Sequence, residues 1–225
     1  MSNKAHTTTV AIDGPSASGK STVARRVAEE LHFVYVDSGA LYRGVTWKAL
    51  REGVDVQQSE QVVDLIQRVT VEYFLRDQCA YFTIDGEDPS TQVRSEPVRE
   101  RVSDVAAIPE VRAHLVRLLR ETTRFGSVVM EGRDIGTVVF PDSPFKFYLD
   151  AHPEERARRR SKELERMEGE SDVAKVMTSL QRRDQKDSMR KTAPLQIALG
   201  AKVIDSTTMQ IDDVVQMIVN RVRSA

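Results

Sequence analysis

Cysteine is almost missing from this chain: Cys79 stands alone among 225 residues. One thiol makes neither an internal disulfide nor a multi-cysteine zinc site, and the four histidines are scattered without metal-ligand spacing. A reducing cytoplasm is the expected location. Net charge is nearly missing as well, with 33 basic residues against 34 acidic ones, so no global field draws the chain to nucleic acid or to an anionic membrane. No run of about 18 apolar residues exists to cross a bilayer. Residues 1–6 are polar, lack the apolar core of a signal peptide and read as a disordered leader. Internal repeats, low-complexity tracts and flexible linkers are absent too. What remains is a length suited to one folded unit with a real core.

The patterning alternates between strand and helix. Residues 7–13 (TTTVAID) are β-branched and apolar and run into a turn at Gly14-Pro15. Val23, Val27 and Leu31 then repeat at helical spacing over residues 20–31. A second short strand is expected at 33–37 (FVYVD), with Ser38 as N-cap of a helix over 40–51, and a shorter helix at 60–68. Residues 69–89 read as two antiparallel strands joined at Arg76-Asp77-Gln78, a small insert expected to lie outside the main sheet. Val98, Val102 and Val105, then Val111, Leu115, Leu118 and Leu119 after Pro109, restore helical periodicity. Short apolar runs at 127–130 and 145–149 suit buried parallel strands. Residues 153–190 look helical and arginine-rich with a break near Gly169, before a strand at 202–205 and a closing helix at 211–222. Such alternation predicts an α/β fold with a central parallel sheet flanked by helices.

Gly14-Pro15-Ser16-Ala17-Ser18-Gly19-Lys20-Ser21 matches G-x4-G-K-[ST] between a predicted strand and a predicted helix. Glycines let the backbone wrap a β-phosphate with its N–H groups inward. The helix start adds the positive end of its dipole, Lys20 reaches the β- and γ-phosphates, and the Ser21 hydroxyl can ligate Mg²⁺. Chance yields such a match in a chain of this length on the order of one time in a hundred. Nucleotide-phosphate binding alone names no function, since switches, motors and small-molecule kinases share the loop. The N-K-x-D element of a guanine switch is not found after a later strand, and the only Asn-Lys pair, Asn3-Lys4, continues as Ala5-His6.

In a doubly wound sheet, ligands collect beyond the carboxyl ends of the strands. There stand Asp37-Ser38-Gly39 with Arg43, Glu131-Gly132-Arg133-Asp134, and the segment 156–160. Arginines facing two anions offset their repulsion and stabilise a moving phosphoryl group. An acceptor phosphate with a second pKa near ~6 is already deprotonated at neutral pH, so the missing kinase-type H-R-D and the missing catalytic histidine agree with a phosphate acceptor. Each residue taken singly has a plainer reading. Arg43 or Arg156 can be a solvated charge, Asp134 and Asp187 can pair with Arg133 or Arg190 in structural ion pairs, and Ser103 can be a helix-surface hydroxyl. The arginines of 156–160 also permit an RNA contact, diluted by Glu154, Glu155, Glu163 and Glu165.

In IDGPSASGKST, VDSGALYR (36–43), VSDVAAIPEVR (102–112), EGRDIGTVVFPD (131–142), EERARRR, RRDQKDSMRKTAPL (182–195) and IDSTTM (204–209), the chain resembles the bacterial type of cytidylate kinase, a P-loop nucleoside monophosphate kinase. The likeness runs in order through nearly the whole chain. It implies a core of residues 7–37, 107–152 and 190–225, a monophosphate-binding region with the β insert over 38–106, and an arginine-rich lid with its following helix over 153–189. It implies ATP bound by Gly14, Pro15, Ser16, Ala17, Ser18, Gly19, Lys20, Ser21 and Thr22, with Mg²⁺ at Ser21. Ser38, Arg43, Arg133 and Arg190 would hold the acceptor phosphate, Ser103, Arg112 and Asp134 would read the cytosine, and Arg183 and Asp187 would contact the ribose. Lys20, Arg133, Arg156, Arg159 and Arg190 would carry the chemistry, Arg156 and Arg159 as lid residues. A carboxylate accepts from the cytosine N4 amino group, where uracil has a carbonyl. CMP and dCMP are the implied small-molecule substrates, with no nucleic acid or membrane partner and a monomeric protein. Kinases of UMP, AMP or shikimate, and a non-catalytic nucleotide switch, stand as rivals. Glu131, where an aspartate is also seen, is a small departure.

Overall fold

The computed structural model describes residues 7–224. The leader expected at residues 1–6 lies outside them. Seven strands form one sheet: β1 (Thr9–Asp13), β2 (Val34–Asp37), β3 (Val71–Arg76), β4 (Cys79–Ile84), β5 (Val128–Gly132), β6 (Phe145–Asp150) and β7 (Lys202–Asp205), ordered β3-β4-β2-β5-β1-β6-β7. All neighbours are parallel except β3 and β4. The α/β class expected from the alternation of elements is the class observed.

Side chains leave β1 alternately to its two faces. Ala11 joins one core with Val128 and Met130 of β5, while Val10 and Ile12 join the other with Val129. On the first face lie α2 (Ser38–Arg51), α3 (Ser59–Arg68) and α5 (Pro109–Glu121), through Leu41, Val45, Leu65, Leu115 and Leu119. The second face is covered by α1 (Lys20–Leu31) and α8 (Ile211–Arg223), through Val23, Val27, Val215 and Ile218. Each such fully buried aliphatic side chain contributes about 1.5–3 kcal/mol. By contrast α6 (Pro153–Glu168) and α7 (Val173–Met189) share only a small apolar cluster of Ala157, Val176 and Leu180. They divide at Gly169, whose φ of 91° lies in the left-handed region glycine tolerates, and the Asp172 carboxylate caps α7 at the Ala174 and Lys175 amides.

Three expectations are corrected. The insert is not outside the sheet: β4 pairs with β2 through Tyr35 and Cys79, and Tyr35 N–H donates to Gln78 O at 2.8 Å. Its turn is two residues long, Asp77 and Gln78 at φ of 48° and 57°, as the twist of a tight hairpin requires, because Arg76 is already paired with Cys79. The cap of α2 is Asp37 rather than Ser38, its Oδ1 accepting Ala40 N–H at 2.9 Å. Ser38 opens the helix instead. Two short elements were not anticipated, a 3-10 turn at Thr122–Phe125 and a wide, π-type turn at Ile135–Val139. Between the hairpin and α5 runs α4 (Glu96–Val105). No helix among the described residues is long and apolar enough to cross a membrane.

Candidate active site

The phosphate loop follows β1 because Gly14 allows a sharp exit. A Cβ there would lie 2.1 Å from Leu149 O, and its φ is 154°. Gly19, at φ 91°, then turns the chain into α1. Lys20 is buried, its Nζ donating to Pro15 O at 2.9 Å. Burial, and after it the neighbouring Arg133, push its pKa from the ordinary lysine value down to about 7. Beside it, Ser21 Oγ donates to Glu131 Oε1 at 2.5 Å, with Tyr35 Oη 3.5 Å from the same oxygen.

Across a cleft of about 980 Å³ lies a second group of charges. Arg112 and Asp134 form a buried ion pair, at 3% and 4% exposure, with Arg112 NH1 also donating to Ala106 O at 3.0 Å. The Arg112 guanidinium lies 5.3 Å from the centre of the Tyr42 ring. Arg190 stands 3.9 Å from both Asp134 Oδ1 and Asp187 Oδ1, and its Nε donates to Ala193 O at 2.6 Å. Arg133 joins the two halves: Nε donates to Asp187 Oδ2 at 2.9 Å and NH2 to Ser16 Oγ at 2.8 Å. Ser38 Oγ donates to Glu131 O at 2.7 Å and Arg43 NH2 to Asp37 Oδ2 at 2.8 Å. Burial raises the Asp37 carboxyl, but Arg43 and the Ala40 amide outweigh it and hold the pKa below the usual range. Burial, with Arg133 next, lowers Arg183 to about 10.

The structure thus brings to one cleft Ser16, Ala17, Ser18, Gly19, Lys20, Ser21, Thr22, Ser38, Arg43, Ser103, Arg112, Arg133, Asp134, Arg159, Arg183, Asp187 and Arg190. Gly14 and Pro15 shape the loop without lining it. Arg156, expected among the cations facing the cleft, lies behind the loop instead: it donates to Ala151 O at 3.0 Å and Ser16 O at 3.1 Å and pairs with Asp184. Arg159 reaches Ser18 O at 3.4 Å and Ser206 O at 2.7 Å. Among the described residues no cluster of three or more His, Cys, Asp or Glu gathers to hold a metal by itself.

Sequence reasoning overlooked Asp184, whose Oδ1 accepts Ser16 N–H at 3.0 Å. Its signal was there: Asp184 and Asp187 are three apart on one helix and share a face. It also overlooked the part of Glu131, a carboxylate at the carboxyl end of the strand beside β1, and the Tyr42 ring under Arg112. Several buried polar atoms around this cleft have no hydrogen-bond partner, namely Tyr42 Oη, Arg43 Nε, Arg112 Nε, Arg183 Nε and Arg190 NH2. Buried donors without partners are rare and point to a polar ligand that completes the set.

A model of the cytidylate kinase family matches residues 10–224. The chain belongs to the cytidylate kinase family. A relative named cytidylate kinase from Caldanaerobacter subterraneus subsp. tengcongensis is 43% identical over 217 residues, 96% of this chain and 95% of that one. Another of the same name from Pelotomaculum thermopropionicum is 45% identical over 215 residues, 95% of each chain. The crystal structure of an uncharacterized protein from Eubacterium ventriosum, 13% identical, superposes with a TM-score of 0.52 over 97% of this chain and 99% of that one, a likeness of fold. Family membership makes the protein a kinase that uses small nucleotide substrates.

Proposed function

We propose that the protein transfers the γ-phosphoryl group of ATP to CMP, and also to dCMP, giving CDP or dCDP in pyrimidine nucleotide metabolism in the cytoplasm, as a monomer. The observation that carries this reading is the set of arginines and Tyr42 that line one cleft with the phosphate loop and hold buried polar atoms without hydrogen-bond partners. Residues 7–37, 107–152 and 190–225 form the core, which carries the phosphate loop together with Arg112, Arg133, Asp134 and Arg190 of the acceptor side. Residues 38–106 serve the acceptor and 153–189 cover the cleft.

Lys20 and the loop amides hold the β- and γ-phosphates, and an anion there favours the charged lysine that burial opposes. Ser21 would hold Mg²⁺ with phosphate oxygens, Glu131 orienting its hydroxyl; these hard oxygen donors fit that ion. When bound, the ion neutralises charge on the transferred phosphoryl. Arg43, Arg133 and Arg190, with Ser38, hold the acceptor phosphate, which is already ionised at neutral pH and needs no general base. Arg133 spans both phosphates from its place between Ser16 and Asp187. Lys20, Arg133, Arg159 and Arg190 stabilise the charge in flight, while Arg156 fixes the loop from behind. Asp134 accepts the cytosine amino group, with Arg112 and Ser103 beside it, and uracil would leave this carboxylate against a carbonyl. Arg183 and Asp187 contact the ribose, where loss of one hydroxyl is tolerated.

The test is ADP release with CMP, dCMP, UMP, AMP, GMP and shikimate in parallel. CMP and dCMP should stand well above the others. Preference for another acceptor, or nucleotide binding with no acceptor-stimulated ADP, rejects the reading.

A further inference from the structure

One buried carboxylate has no part in the reaction just described. Asp13 ends β1, is 3% exposed, and accepts Ile135 N–H at 2.8 Å on Oδ1 and Gly136 N–H at 2.8 Å on Oδ2. These amides lie 122 and 123 residues away. They open the turn Ile135–Val139, directly after Arg133 and Asp134. The turn is seated closely: a Cβ on Gly136 would lie 3.1 Å from Ala198 Cβ and 3.4 Å from Asp13 Oδ2. Two N–H donors, one on each oxygen, suit the ionised carboxylate, which has acceptors only; a protonated one turns a hydroxyl toward an N–H.

We propose that Asp13 is a positioning residue for phosphoryl transfer, its carboxylate fixing the turn that presents Arg133 and Asp134 to the acceptor. The strand that launches the phosphate loop thereby also sets acceptor recognition, so the two sites share one rigid base. The inference rests on the CMP kinase reading.

The groups facing Asp13 are Lys20 on α1, Asp134 just before the turn and Tyr148 on β6, while Lys146, its stem beside Gly136, turns its ammonium to Pro141 O and Leu199 O. Burial raises the Asp13 pKa to about 6; the two amides oppose it, Asp134 adds to it and Lys20 opposes it. The sign separates positioning from mere structure. An acid whose folded pKa is raised makes the fold less stable as pH climbs from its ordinary value to about 6. Protonation therefore favours the fold while it loosens the turn.

The experiment is steady-state kinetics of the full chain and of Asp13→Asn from pH 5 to 8, with CMP, UMP and ATP varied separately. In the variant the KM for CMP should rise about ten-fold or more, with the KM for ATP within about two-fold, and the preference for CMP over UMP should narrow. Protonation of CMP itself is common to both proteins, so an acid loss of CMP use seen only in the wild type belongs to Asp13. Equal rises in both KM values, or superimposable pH profiles, overturn the proposal. Should the variant fail to fold, amide NMR of the wild type decides: the Ile135 and Gly136 resonances must titrate together between about pH 5 and 7, and invariance overturns it. A wild type inactive on CMP defeats the functional reading, whereas an active wild type matched by its variant defeats this inference alone.

Discussion

The two halves of the cleft, donor and acceptor in the proposed reaction, are built on opposite plans. The donor half is one continuous stretch, Gly14 to Thr22, whose shape comes from backbone turns and from the start of α1. The acceptor half draws on α2, α4, α5, the turn after β5, and α7. No local conformation brings those residues together. They are held by pairs among themselves: Arg112 with Asp134, Arg133 with Asp187, Arg43 with Asp37. A contiguous loop tolerates little substitution but needs few partners, whereas a distributed site is only as well ordered as its carboxylates. Truncating one member of a buried pair leaves the other charge exposed to the full desolvation cost.

Four substitutions would break or sharpen this contrast. Lys20→Ala should produce the largest effect, a loss of about 100- to 1000-fold in kcat with an unchanged melting temperature, because the loop keeps its backbone shape. Activity near normal would remove Lys20 from the donor site. Asp134→Asn should lower kcat/KM for CMP by about 10- to 100-fold and narrow the gap to UMP, with the ATP dependence unchanged; an unaltered base preference would show that the base is read elsewhere. Asp37→Ala removes the α2 cap and the partner of Arg43 together, so denaturant titration should record a loss of about 1–2 kcal/mol. Gln78→Gly should have the smallest effect, a gain of up to about 1 kcal/mol with no change in turnover, since it relieves a left-handed residue that does not line the cleft and keeps the carbonyl that accepts Tyr35 N–H.

The donor half was legible in the sequence, and the acceptor half only in outline, for the same reason. Lys20–Leu31 forms the helix expected of it, because Val23, Val27 and the glycines fix that segment locally. Ile135–Val139 is rich in β-branched residues that favour extended structure, and became a wide turn because Asp13 binds its first two amides. That partner sits more than a hundred positions away. The attachment of the hairpin to the sheet rests on Tyr35 and Cys79, a pairing that alternation inside the hairpin says nothing about. Asp37 and Ser38 are both good caps, and only side-chain direction separates them. Resemblance to a family named the acceptor residues; which carboxylate holds which guanidinium came from the folded chain alone.

Asp184 has a consequence for how tightly a nucleotide is held. Its carboxylate already occupies the Ser16 amide and neutralises Arg156 behind it. A triphosphate that claims this amide displaces a tethered internal rival rather than water, so its measured affinity is a difference between two anions. Loosening that rival would tighten the ground-state grip on the donor without adding a single contact.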